Sequence, residues 1–267
     1  MTTSRLTTLL SVPIGLGVAF FVYQHVTPYR EIQCNYLRAT PGHEDGFPMS
    51  IANPRKTPTN QDSYSLRIPA WRLRPGLSDE EILARFTKGF FGRWIFTPER
   101  WLFLSTKLSI TRQLTMPQEE TSSSTRGRTT VISASTPEIW HLSSLSASVV
   151  PPLGSLLFGN FILLDSSAAS VEERDAMFPC SNPGSRPDCV FAEFTAGSAS
   201  IEFISSHRFE ITREKTAEEG EMVKITFSHV NCNPTGNASR IRSWMKSLHV
   251  LYSKLLFSDG VREVLAN

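Results

Sequence analysis

The chain has 267 residues, 40% of them hydrophobic and 19% charged, which is enough apolar material for one core of ordinary size. Its 27 Lys and Arg balance 25 Asp and Glu with no basic stripe, so nucleic acid is not an expected partner. Four cysteines are too few for a disulfide scaffold, and the lack of a CxxC pair removes the zinc-ribbon and thioredoxin-like classes.

The first element is Leu6–Val26, 21 residues without Asp, Glu, Lys or Arg. A membrane-crossing helix needs about 20 apolar residues, so the length suffices. A cleaved signal peptide is the competing expectation, but Phe20-Phe21-Val22-Tyr23-Gln24-His25 offers no small residues for cleavage. Residues 1–26 are therefore expected to form an N-terminal transmembrane helix. That implies a single-pass membrane protein of the endoplasmic reticulum, with orientation left open by Arg5 on one side and Arg30 and Arg38 on the other. Residues 27–62 are interrupted by Pro41-Gly42, Pro48, Asn53-Pro54 and Pro58 and read as a tether.

Residues 63–267 read as a single α+β domain. A strand is expected at Tyr64–Ile68. Ser78 and Glu81 form a capping box, after which Ile82, Leu83, Phe86 and Phe90 recur on one helical face. Thr97-Pro98 starts a second helix, with the threonine hydroxyl as cap. Gln118–Arg128 and Met177–Cys189 are loops, and Cys180 and Cys189 stand either as a disulfide or as free thiols. Val190–Phe194, Ser200–Ile204, His207–Arg213 and Met222–His229 have strand character. A long terminal helix follows, its apolar face marked by Ile241, Trp244, Met245, Leu248, Leu251, Tyr252, Leu255 and Leu256, with a break or kink at Gly260. The expected fold is α+β, an antiparallel sheet packed on this C-terminal helix.

No HExxH, GxSxG, Walker A or dinucleotide motif is present, and no metal or cofactor is expected. What remains is placed by strand parity. His207 alternates with Phe209 and Ile211, and His229 with Val223, Ile225 and Phe227, so both imidazoles face the apolar side. If Glu214–Glu221 turns a hairpin with Ile211 opposite Ile225, then His207 faces His229. Such a pair suits acid–base catalysis; the alternative is two core histidines bonded to each other or to backbone. Asn231, Asn233 and His249 are candidate ligand-binding neighbours, and Asn237-Ala238-Ser239 is a glycosylation acceptor pattern.

Phe86–Arg100, Phe158-Gly159-Asn160-Phe161, Leu164-Asp165, His207-Arg208-Phe209, Cys232-Asn233-Pro234-Thr235 and Leu256-Phe257-Ser258-Asp259-Gly260 resemble a family of uncharacterised filamentous-fungal proteins. The resemblance implies a place in or near polyketide and polyketide–peptide gene clusters, whose accessory proteins assist cyclisation. The order of elements also resembles the START/polyketide-cyclase-like (helix-grip) fold. Together these imply an accessory enzyme or cyclase holding an apolar polyketide-type intermediate in a sheet–helix cavity. An apolar small molecule, the membrane and other biosynthetic enzymes would be its partners. A non-catalytic carrier of lipid or apolar metabolite, or a scaffold, is the alternative.

Overall fold

The computed structural model describes residues 31–35, 38–106, 137–177, 188–198, 202–218, 220–236 and 243–266, with 243–246 as backbone. Eight strands form one mixed sheet: β1 (Gln33–Asn35), β2 (Thr59–Pro69), β3 (Glu138–Ile139), β4 (Leu156–Leu157), β5 (Phe161–Ser166), β6 (Val190–Ser198), β7 (Phe203–Thr216) and β8 (Gly220–Cys232). Five α-helices accompany them: α1 (Phe47–Ala52), α2 (Asp79–Gly92), α3 (Thr97–Thr106), α4 (Val171–Met177) and α5 (Ser243–Leu265). The strand order is β1-β2-β8-β7-β6-β5-β4-β3. The sheet is not purely antiparallel, because β3 runs parallel to β4.

Period-two alternation sorts the side chains of the long strands onto two faces. One face carries Tyr64, Leu66, Phe194, Phe209, Ile211, Ile225 and Phe227, buried against α2 and α5. Phe86, Phe90 and Phe91 of α2 enter this layer, with ring centroids 4.8 Å apart for Phe90–Phe209 and 5.0 Å for Phe90–Phe227. Aromatic rings thus fill the sheet–helix interface where an apolar ligand cavity was expected. The tryptophans beside them behave differently: Trp94 is 73% and Trp101 69% exposed.

The capping box at Ser78 and Glu81 is formed in both directions. Thr97 does not cap α3; its hydroxyl donates back to the Arg93 carbonyl at 2.9 Å. Helix α5 runs unbroken through Gly260, and that glycine has another role. A Cβ there would lie 2.5 Å from the Phe86 ring, and one on Gly89 would lie 2.8 Å from the Asp259 carbonyl. The two glycines let α2 and α5 cross closely, which a side chain at either site would prevent.

The opposite face is covered by residues expected to be a tether. Phe47 and Ile51 of α1 pack with Leu156, Ile162 and Leu164, and Met49 and Ala52 pack with Ile204, Val230 and Cys232. The prolines that break periodicity here bend the chain onto the sheet, and Pro48 lies in the first turn of α1, where a missing N–H costs nothing.

The expected N-terminal transmembrane helix, and the single-pass membrane location resting on it, do not stand. Among the described residues no helix is long and apolar enough to cross a membrane. Helix α5 has 23 residues but carries Lys246, Lys254, Asp259, Arg262 and Glu263. Leu6–Val26 lies outside the described residues, as do Asn237, Cys180 and the Gln118–Arg128 loop. Cys189 is a free thiol.

Candidate active site

Strands β7 and β8 pair with His207 opposite His229, Phe209 opposite Phe227 and Ile211 opposite Ile225, the register expected from parity. The two imidazoles are 4.9 Å apart between ring centroids and face α5. His249 comes down from that helix to stand 4.8 Å from His229, so three imidazoles form a row.

The group that organises the row is Asp62, which lies opposite His229 in the β2–β8 pairing. Its Oδ1 is 2.9 Å from His229 Nδ1, and its Oδ2 is 3.3 Å from His249 Nε2. The Tyr64 hydroxyl, two residues along the same strand face, donates to Asp62 Oδ2 at 2.7 Å. Burial alone would raise the Asp62 pKa, but hydrogen bonds and charge from His229 and His249 outweigh it and hold the carboxyl well below the usual carboxylate range. Burial pushes the Tyr64 phenol far up, helped by the adjacent carboxylate, so it stays a donor. Burial lowers the His229 pKa against the pull of Asp62. A neutral His229 beside an ionised Asp62 has its proton on Nδ1, because a carboxylate can only accept.

A cleft of 1230 Å³ opens over this centre. It straddles the Thr59–Asp62 stretch of β2, since β1 pairs only with Ser63–Ser65. Asp62, His229, His249 and Asn231 line it together with Arg38, Glu44 and Gln61. The lining is therefore mixed rather than purely apolar. His249 is the most accessible member of the centre, its side chain 41% exposed.

The candidate residues separate on this geometry. His229, Asn231 and His249 reach the cleft, with Asn231 accepting from Asn60 Nδ2 at 3.3 Å. His207 stands behind them, stacked on Phe227 and edge-on to Phe161, and its Nδ1 has no hydrogen-bond partner. Burial keeps it neutral, with a pKa well below the usual imidazole value. Asn233 is elsewhere: its side chain accepts from Thr235 N and Oγ1 at 3.0 and 2.8 Å and shapes a turn.

Asp62 and Tyr64 were missed. A signal for them existed, because Asp62, Tyr64, Leu66 and Ile68 alternate as one buried strand face, and an acid at the end of such a row is out of place. Also missed was His43, fully buried on the other face of the sheet. It sits between Ser228 Oγ at 2.7 Å and Ser206 Oγ at 3.1 Å, beside Glu193. Arg208 donates to Glu193 at 2.7 Å. Burial would raise the Glu193 carboxyl, but Arg208 and His43 hold it at about 2. His43 and Glu193 are fully buried, and this second cluster is a buried structural network.

Comparison with protein-family models, curated proteins and solved structures finds no match to this chain. The arrangement itself offers two chemistries. A carboxylate-oriented imidazole is a general base, and two imidazoles with one carboxylate are also a metal-ligand set.

Proposed function

We propose that the protein is an enzyme that removes a proton from a small molecule held in the cleft above Asp62, His229 and His249. The observation that supports it is the orientation of two imidazoles by one buried, ionised carboxylate at the floor of an open cleft. The arrangement follows the general logic by which an acid fixes the tautomer and direction of a catalytic histidine. A passive carrier has less support, because the space between sheet and helices that would hold an apolar cargo is packed with phenylalanine.

The substrate class follows from the lining and from the fungal resemblance. Arg38, Glu44, Gln61 and Asn231 favour a molecule with hydrogen-bonding groups as well as an apolar body. A polyketide-type intermediate meets that description, and its ring closure begins with loss of a proton beside a carbonyl. The test is metabolite profiling of the native host carrying Asp62→Asn or His249→Ala. Both strains should accumulate the compound that a gene deletion accumulates. Wild-type profiles in both would contradict the proposal.

A further inference from the structure

We infer that Asp62, His229 and His249 bind a divalent transition metal ion, which faces the cleft through its remaining coordination positions. The inference rests on the proposed function only in taking the cleft as the place of reaction.

One carboxylate oxygen and one nitrogen from each imidazole lie within 4.8 Å of one another. Asp62 Oδ1 lies 2.9 Å from His229 Nδ1 and its Oδ2 lies 3.3 Å from His249 Nε2, separations close to what neighbouring ligands show around an ion whose bonds are about 2.0–2.2 Å long, so the carboxylate faces the two imidazoles through its two oxygens. The third pair, the two imidazole nitrogens, lies within 4.8 Å, and the His249 side chain is partly exposed. Two imidazoles and one carboxylate on one side of an ion is the set that leaves open positions for substrate or water. The ion would take the place of the protons now shared between Asp62 and its two histidines.

The surroundings fit the same purpose. The Tyr64 hydroxyl donates to Asp62 and fixes the carboxylate, the role an outer partner plays at metal centres. A metal also gives the base a definite identity, because water bound to zinc loses its proton near neutral pH. The ligands are separated by 167 and 20 residues, which is why no motif betrays them.

Full-length protein stripped of metal by chelator can be titrated with Zn2+ by calorimetry and with Co2+ by visible absorption. One equivalent should bind, with a cobalt spectrum typical of nitrogen and oxygen ligands. His249→Ala should weaken binding at least about tenfold, the scale on which even outer partners of a metal site act. His249 is exposed enough for that variant to fold, and a melting curve checks it. His141→Ala, at an exposed histidine away from the cleft, should bind as wild type does. Absence of uptake by the wild type, or equal affinity in His249→Ala, overturns the inference. If metal fails to bind yet His249→Ala still loses conversion, the imidazole itself is the base and the proposed function stands. If His249→Ala loses metal but converts normally, the metal site stands and the proposed function falls.

Discussion

At the scale of single residues the proposed chemistry rests on Asp62, which sets the tautomer of His229 and anchors His249. Replacing His249 by alanine should leave the fold intact and lower turnover by about 10²–10⁴-fold, the range for loss of a general base. The check is kcat beside a melting curve, and a folded variant with undiminished turnover would contradict the assignment. His229→Ala combined with His249→Ala should be little worse than either alone, since groups acting as a unit are not additive. A second expectation concerns acid. Burial holds the His43 imidazole below its usual value, and His207 and His229 shift the same way. An unfolded chain with ordinary histidines therefore binds protons that the folded chain refuses. Stability is complete above a pH of about 6.5 and falls as pH drops below it. The melting temperature should decline from about pH 7.5 to about pH 5.5, and an unchanged value would argue against buried neutral histidines. His207 and His229 were legible in the sequence because a strand has period two and both lie among apolar alternations. His43 was not, because it lies in a proline-broken stretch whose partners are well over a hundred residues away, whereas Asp62 left a signal only as an acid at the end of a buried strand face.

Elements show a different limit. Helix α5 forms where the sequence places a terminal helix, but the face expected for its first turns is not the buried one. Leu248 is 61% and Leu251 40% exposed, whereas Ser253, Ser258 and Asp259 are buried. Leucines surround this helix, and the polar residues that would normally mark its outer side face inward, where Asp259 accepts from the Ile95 N–H at 3.0 Å. The apolar face expected to include Leu248 is thus rotated, and the two halves of the helix should respond differently to charge. Leu256→Asp should cost about 3 kcal/mol or more by burying an unpaired carboxylate, while Leu248→Asp should stay within about 0.5 kcal/mol of wild type. Denaturant unfolding separates them, and equal loss in both would show that Leu248 is covered. Gly260→Ala should destabilise by about 1–3 kcal/mol, because its methyl group would press on the Phe86 ring. The sequence marked Gly260 as a break, since a glycine needed for helix–helix approach looks the same as one needed for a bend.

At the scale of the whole molecule, one sheet separates two polar centres that face opposite ways. The Glu193–Arg208–His43 cluster on the α1 side is closed, and removing one charge there strands the other. Arg208→Ala should cost about 3–5 kcal/mol, the usual penalty for breaking a buried ion pair. The Asp62–His229–His249 centre on the α5 side is open, and the proposed chemistry rests on that accessibility. Strand parity placed the α+β architecture and the histidine pair within reach of sequence, but the cleft lies where residues 38–45 stand beside the Thr59–Asp62 stretch of β2, a long-range event that no local pattern records. The most direct test is conversion of the compound accumulated by a deletion strain, using purified full-length protein. Wild type should consume it and form the ring-closed product, and folded His249→Ala should do neither. Equal consumption by the variant, or none by the wild type, would contradict the assignment of chemistry to this site.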